Sequence, residues 1–122
     1  DLLARTPADW LTLTLGPKGA MLVHRDGRAW QCAETMPVPV VDTVGAGDTF
    51  LAGLLTGLFE HTGQCACPRQ AALAITDEQA MHILSRAVAS ASLCVMETGC
   101  VPPDREQLKT RLTRTPPSFQ RL

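Results

Sequence analysis

The fold is decided by one stretch of the chain, a glycine-rich turn that runs into a helix: Asp42-Thr43-Val44-Gly45-Ala46-Gly47-Asp48-Thr49-Phe50-Leu51-Ala52-Gly53-Leu54-Leu55. From Asp48 to Glu60 apolar side chains occupy most of a helical circumference, and Gly63 stands where a helix would end. The stretch therefore predicts a buried helix that begins at a tight turn.

The turn has the chemistry of an anion site. The first amides of a helix lack partners inside it and lie at the positive end of its dipole, so they bind phosphate. Asp48 would repel a phosphate, which indicates a base: its carboxylate can take the proton of an acceptor hydroxyl while the amides of residues 46–48 stabilise the transferring charge. The alternative is an ordinary turn in which Asp48 only stabilises the helix dipole. The P-loop and the dinucleotide fingerprint are both excluded, since no Gly-Lys-Ser/Thr follows and Phe50 replaces the third glycine.

The residues before the turn predict β-structure. Leu11 to Leu15 alternates leucine with threonine, as expected of a central or nearly central strand, and the loop Gly16-Pro17-Lys18-Gly19 ends it. Ala20–His24 and Ala29–Ala33 flank an Asp-Gly pair and predict an antiparallel hairpin. Residues 36–41 contain two prolines, which predicts an edge strand or an extended approach to the turn.

The residues after the first helix predict further helices. Residues 62–75 indicate a surface excursion with one helical turn at 70–73, and Thr76 with Gln79 forms a capping-box pattern before a helix with a stripe of small residues. Asp104 with Gln107 caps a last helix, and the tail after Thr113 is expected to fray. Together these elements predict an α/β domain whose sheet is flanked by helices.

Residues 42–55 as a whole resemble the C-terminal signature of the ribokinase-like (PfkB) carbohydrate kinases. The resemblance implies a mostly parallel sheet with an antiparallel hairpin, Asp48 as catalytic base, and an anion hole formed by the amides of Gly45, Ala46 and Gly47. It also implies ATP and Mg²⁺ as cofactors. The loop after the first strand resembles the family's nucleotide loop, so the residues expected beside ATP are Thr14, Gly16, Lys18, Gly19 and Gly47.

The resemblance extends to a loop after the long helix, where the family holds a monovalent cation. It implies a K⁺ site formed mostly by main-chain oxygens, with Asp42, Val44, Cys94 and Gly99 as its residues. Many relatives carry an Asn in the preceding helix near the nucleotide, whereas this sequence has Val88. That difference puts one adenine-side contact in doubt.

The resemblance also describes what this sequence does not include. Residues 1–122 correspond to a single partial domain, the C-terminal nucleotide-binding and catalytic part, without the N-terminal part, the lid, or the residues that select the sugar and help to place magnesium. The signature is most like that of fructokinases, so fructose is the expected acceptor, with ribose, 2-keto-3-deoxygluconate, phosphorylated sugars or nucleosides as alternatives. A homodimer through the lid is also implied. A non-catalytic nucleotide-binding or interaction module of the same fold is the alternative from a different class.

The composition of the chain argues against some classes of binding partner. The chain is 45% hydrophobic and 19% charged, which is typical of a globular domain. A net charge of -1 and 4% aromatic residues argue against nucleic acid as a partner. The sequence has neither an apolar run of about 18 residues nor a secretory signal pattern, so we expect no membrane association and a cytoplasmic location. The five cysteines have no zinc-site spacing and are expected to be free thiols.

Overall fold

The structure, a computed structural model, describes residues 2–122 as a four-stranded sheet packed against helices. The strands are β1 (Trp10–Thr14), β2 (Ala20–His24), β3 (Ala29–Ala33) and β4 (Ser118–Arg121). The α-helices are α1 (Ala46–Thr62), α2 (Pro68–Leu73), α3 (Asp77–Val95) and α4 (Arg105–Arg114), and short 3-10 turns occupy Leu3–Arg5 and Gly16–Lys18. The predicted α/β class with a helix-flanked sheet is confirmed.

The strands follow one another in the order β1-β2-β3-β4, and each neighbouring pair is antiparallel. The hairpin of β2 and β3 has the predicted bounds. The expected parallel pairings do not occur within residues 2–122, because β1, β2 and β3 are joined by connections too short for a parallel crossover. Within the same residues β1 lies at the edge of the sheet rather than at its centre, and Leu13 is 40% exposed.

The C-terminal tail forms the fourth strand, so the prediction that it frays is wrong. Residues of β4 pair with β3, with Phe119 opposite Cys32 and Arg121 opposite Trp30. Phe119 also packs against the hydrophobic core. So short a strand has no periodic pattern in the sequence, and its order comes from this long-range pairing.

Helix α3 is the centre of the packing. It contacts β2, β3 and β4 on one side and α1 on the other. Ile83 and Leu84 are almost fully buried, and the predicted stripe of small residues is confirmed as the surface on which α1 lies close. A Cβ atom on Gly53 of α1 would come within 3.1 Å of the Ala87 Cα. The predicted capping boxes at Thr76 and Asp104 are both present.

Helix α1 is buried on one face only. Phe50 and Leu54 belong to the core, but Leu51, Leu55 and Phe59 are 49%, 54% and 69% exposed. The prediction of a helix buried over most of its circumference is therefore wrong for residues 2–122, because α1 packs mainly on α3 and has only a smaller contact with α2.

Residues 34–45 run without a regular element from β3 to α1. The carbonyl of Val95 accepts the amides of Val41 and Asp42 at 2.7 and 3.1 Å, so this segment is anchored to the end of α3. Of the two predictions for residues 36–41, the extended approach is the one observed. No helix among residues 2–122 has the length and apolar character needed to cross a membrane.

Candidate active site

The predicted anion turn lies at the N-terminus of α1. Gly45 occupies the N-cap position with φ 79° and ψ 2°, and no side chain caps the helix. The Ala46 amide donates to the Thr43 carbonyl at 3.3 Å, whereas no acceptor within residues 2–122 is recorded for the amides of Gly47 and Asp48. Both of these residues are exposed, so their amides are open to a ligand at the positive end of the helix dipole.

Gly45 is required at its position for two reasons. Its positive φ is costly for any residue with a Cβ atom. In addition, a Cβ atom at this position would lie 2.1 Å from the Sγ atom of Cys100. The turn is thus packed directly against the loop that follows α3.

Asp42 joins the turn to the same loop. Its Oδ1 accepts the Val44 amide at 3.0 Å and its Oδ2 accepts the Gly99 amide at 2.9 Å. These hydrogen bonds, first from Val44 and then from Gly99, lower the pKa of Asp42 below its usual value. Its carboxylate is therefore ionised at neutral pH and stabilises both segments together.

The four residues predicted for a monovalent cation are brought together. Besides the two bonds of Asp42, the Cys94 thiol lies 3.7 Å from the Val44 carbonyl oxygen, so all four residues belong to one connected group. The Cys94 carbonyl already accepts the amides of Met96 and Glu97, which leaves it the least available oxygen of the set. The Asp42 carboxylate and the Val44 carbonyl keep free acceptor capacity, and hard oxygens of this kind suit K⁺.

The predicted nucleotide loop forms a tight turn after β1. The Leu15 amide donates to Gly19 and the Gly19 amide to Gly16, at 2.8 and 3.0 Å. A Cβ atom on Gly19 would lie 1.9 Å from the Cys32 carbonyl oxygen, so the loop packs against β3. Lys18 and Thr14 are exposed. None of the hydrogen bonds of this loop reaches residues 45–48.

Cys100 is the site residue that sequence reasoning missed. Its thiol packs against Gly45, and its pKa is raised by burial, then by Cys94 and then by Asp48. Cys94 was predicted as a residue of the cation site, whereas Cys100 was given no role, because no local pattern indicates which side chain approaches a distant glycine. Among residues 2–122 no three His, Cys, Asp or Glu side chains are grouped so that they could hold a metal ion.

Residues 1–107 match a protein family that is described as "pfkB family carbohydrate kinase". The chain belongs to the pfkB family of carbohydrate kinases. The resemblance carried by residues 42–55 is thus confirmed at the level of the family.

Several pfkB relatives have names that indicate their activity. The chain is 31% identical over 108 residues to the 1-phosphofructokinase of Vibrio cholerae serotype O1, covering 88% of this chain and 28% of that protein. It is 33% identical over 104 residues to the 1-phosphofructokinase of Escherichia coli strain K12, covering 85% and 28%. It is 34% identical over 96 residues to the ribokinase of Arabidopsis thaliana, covering 77% and 21%.

Two solved structures of ribokinases superpose on this chain. The ribokinase of Giardia lamblia superposes with a TM-score of 0.74 at 23% identity, over 91% of this chain and 34% of that one. The ribokinase of Arabidopsis thaliana, solved with ribose and ATP, gives a TM-score of 0.63 at 28% identity, over 88% and 30%. The ribokinase-like fold is therefore confirmed, and the chain spans about a third or less of each relative.

Proposed function

We propose that the protein transfers a phosphoryl group from ATP to a hydroxyl of a sugar, with Asp48 as the general base. One observation carries the proposal: an exposed carboxylate stands in the first turn of α1, directly after amides that have no acceptor among the described residues. A site that only bound phosphate would be weakened by that negative charge. General-base catalysis explains the negative charge, because an ionised carboxylate can accept the proton of the attacking hydroxyl.

The chain's own groups divide the chemistry between them. The open amides of the turn, those of Gly47 and Asp48, are directed at the charge that develops on the transferring group, and this charge stabilisation is part of the catalytic effect. Asp48 holds the acceptor hydroxyl and takes its proton. ATP, which supplies the phosphoryl group, is supported by the Arabidopsis thaliana ribokinase solved with ribose and ATP. Thr14, Gly16, Lys18 and Gly19 are proposed to line its site, and Mg²⁺ to accompany it.

The acceptor is proposed to be fructose or a phosphorylated fructose. The signature itself predicts fructose, and two of the relatives are named 1-phosphofructokinase. Ribose is the competing acceptor, because a ribokinase matches at 34% identity, slightly above the two 1-phosphofructokinases, although over less of the chain. The cytoplasmic location and a dimer through a lid stay predictions from the sequence.

Replacing Asp48 with Asn in the full-length protein tests the proposal. A general base contributes about 10²–10⁴-fold to the rate, so we expect D48N to lower kcat by that factor while ATP binding, measured by calorimetry, changes little. E106Q is the matched control, because Glu106 is the acidic residue in the first turn of α4. E106Q should leave kcat unchanged. Equal turnover of D48N and the parent protein would contradict the role of Asp48.

A panel of acceptors identifies the substrate. Fructose, fructose 1-phosphate, ribose, 2-keto-3-deoxygluconate and nucleosides are offered with ATP and Mg²⁺, with and without K⁺. We expect phosphorylation of one fructose compound, and a K⁺ stimulation that D42N abolishes because Asp42 belongs to the proposed cation site. ATP binding without phosphorylation of any acceptor would favour the non-catalytic alternative.

A further inference from the structure

Two cysteines meet beside the anion turn. Cys94, in the last turn of α3, is fully buried, and its Sγ lies 3.7 Å from the carbonyl oxygen of Val44. Cys100 packs its Sγ against Gly45, the next residue of the turn. After burial, the Cys94 thiol is the next cause of the raised pKa of Cys100, as expected of neighbouring side chains. The two sulfurs thus lie against two consecutive residues of the turn, Val44 and Gly45.

The two cysteines differ in their exposure to solvent. Cys100 is exposed, whereas Cys94 is 0% exposed. An oxidant in solution therefore reaches Cys100 first, and Cys94 is held beside it as the partner that can react with the oxidised sulfur. Pairs of this kind, an accessible thiol next to a resolving thiol, form disulfides under oxidation.

The remaining cysteines lack this arrangement. Cys32 is buried against Ser85, with a sulfur-to-oxygen distance of 3.6 Å. Cys65 and Cys67 are exposed, but the thiol of Cys65 is directed to the carbonyl of His61 at 3.8 Å. Among the described residues, Cys94 and Cys100 are the pair that lies against the proposed active site.

We propose that Cys94 and Cys100 form an oxidisable pair, and that a peroxide converts it to a disulfide that distorts the anion turn and lowers kinase activity. In the first step the Cys100 sulfur attacks a peroxide oxygen, the O–O bond breaks, and a sulfenic acid and one water, or an alcohol from an organic peroxide, are formed. The Cys94 sulfur then attacks the sulfenic sulfur, the S–S bond forms, and a second water leaves. The two thiols are oxidised and the peroxide is reduced.

The disulfide would disturb the turn because bond formation draws the sulfurs together. A disulfide bond is about 2.05 Å long, much shorter than any contact between two thiols. We expect bond closure to displace the Cys100 sulfur relative to Gly45, and the preceding Gly99 with it. Gly99 is the residue whose amide Asp42 holds, so the contraction reaches both supports of the turn.

The test is peroxide treatment of the full-length protein followed by peptide mapping. We expect one peptide pair linked through Cys94 and Cys100 with the loss of two hydrogens, together with a fall in kcat that a dithiol reductant reverses. C100A should show neither the linked peptide nor the reversible loss. C65A/C67A is the matched control, because it removes two exposed thiols that follow the opposite end of α1, and it should keep both effects.

The effect on activity rests on the proposed function, but the mapping does not. If the reduced protein proves to be no kinase, the proposed function fails while the linked peptide still supports the pair. Oxidation of Cys100 to sulfinic acid without a link to Cys94 would overturn the proposal. So would a linked peptide that leaves kcat unchanged in a working kinase, or a reversible loss that persists in C100A.

Discussion

Asp42 holds Gly99 across 57 residues of sequence: its Oδ2 accepts the Gly99 amide at 2.9 Å, while its Oδ1 accepts the Val44 amide at 3.0 Å. A single carboxylate therefore connects the turn before α1 with the loop after α3. Both segments belong to the candidate active site, so the charge on Asp42 contributes to the geometry of that site as well as to its stability.

The first prediction concerns the pH dependence of this contact. The pKa of Asp42 is lowered in the folded protein from its ordinary value of 3.8, chiefly by the Val44 and Gly99 amides. A lowered pKa contributes stability that is present above the unfolded pKa and is lost as the pH falls through the folded pKa. We therefore expect the parent protein to be more stable than D42N at neutral pH, with a difference that shrinks below about pH 4.

Urea unfolding of both proteins between neutral and acidic pH measures this difference. E97Q is the control, because Glu97 is exposed in the same loop and no hydrogen bond of its side chain is recorded within residues 2–122. E97Q should follow the parent protein throughout. A difference between D42N and the parent that stays constant down to strong acid would contradict the role of the charge.

The second prediction separates two glycines of the turn. G45A places a Cβ atom at φ 79° and within 2.1 Å of the Cys100 sulfur, so we expect it to destabilise the protein by about 1–3 kcal/mol and to abolish activity. G47A meets nothing within 4 Å and lies inside the helix. It should leave the free energy of unfolding unchanged or raise it by up to about 1 kcal/mol.

G47A is expected to impair activity even though it does not impair stability. If its amide faces a phosphate, the added methyl group of G47A crowds the ligand, and kcat/KM for ATP falls although the fold is intact. Chemical denaturation and steady-state kinetics on the same preparations separate the two effects. Full activity of G47A would show that no ligand approaches the backbone at this residue.

The sequence predicted the local elements of this fold better than their neighbours in space. Capping at Thr76 and Asp104 and the Asp-Gly hairpin are determined by residues a few positions apart, and these predictions were confirmed. The position of β1 and the pairing of β4 depend on partners distant in the chain, and there the predictions were wrong. Leu13 illustrates the reason, because alternation indicates a strand but does not show which strands lie beside it.

In the candidate site, too, local features were predicted and contacts between distant residues were not. The turn, the open amides and Asp48 follow from a continuous stretch of sequence. The approach of Cys100 to Gly45 depends on how the loop after α3 folds back over the turn, which no spacing in the sequence reveals.

The third prediction tests the close packing of α1 on α3. A Cβ atom on Gly57 would lie 3.2 Å from the Ile83 Cα, so a larger side chain has no space. We expect G57L to destabilise the protein by about 1–3 kcal/mol through overpacking. T56L, a neighbouring change on the exposed face of α1, should stay within about 0.5 kcal/mol of the parent in urea unfolding. Equal stability of the two variants would mean that the helices do not pack as described.

The fourth prediction concerns the strand that sequence patterns missed. Phe119 of β4 lies opposite Cys32 and packs on the core while remaining partly exposed, so F119A should cost about 2 kcal/mol, somewhat less than for a fully buried aromatic residue. Its neighbour Gln120 is exposed, and Q120A should change the free energy of unfolding by less than about 0.5 kcal/mol. Hydrogen exchange adds a second measurement, because loss of the Phe119 anchor should speed exchange of the amides that β4 shares with β3, and leave α1 protected. If F119A unfolds at the same urea concentration as Q120A, the tail is not part of the folded core and the original expectation of fraying was right.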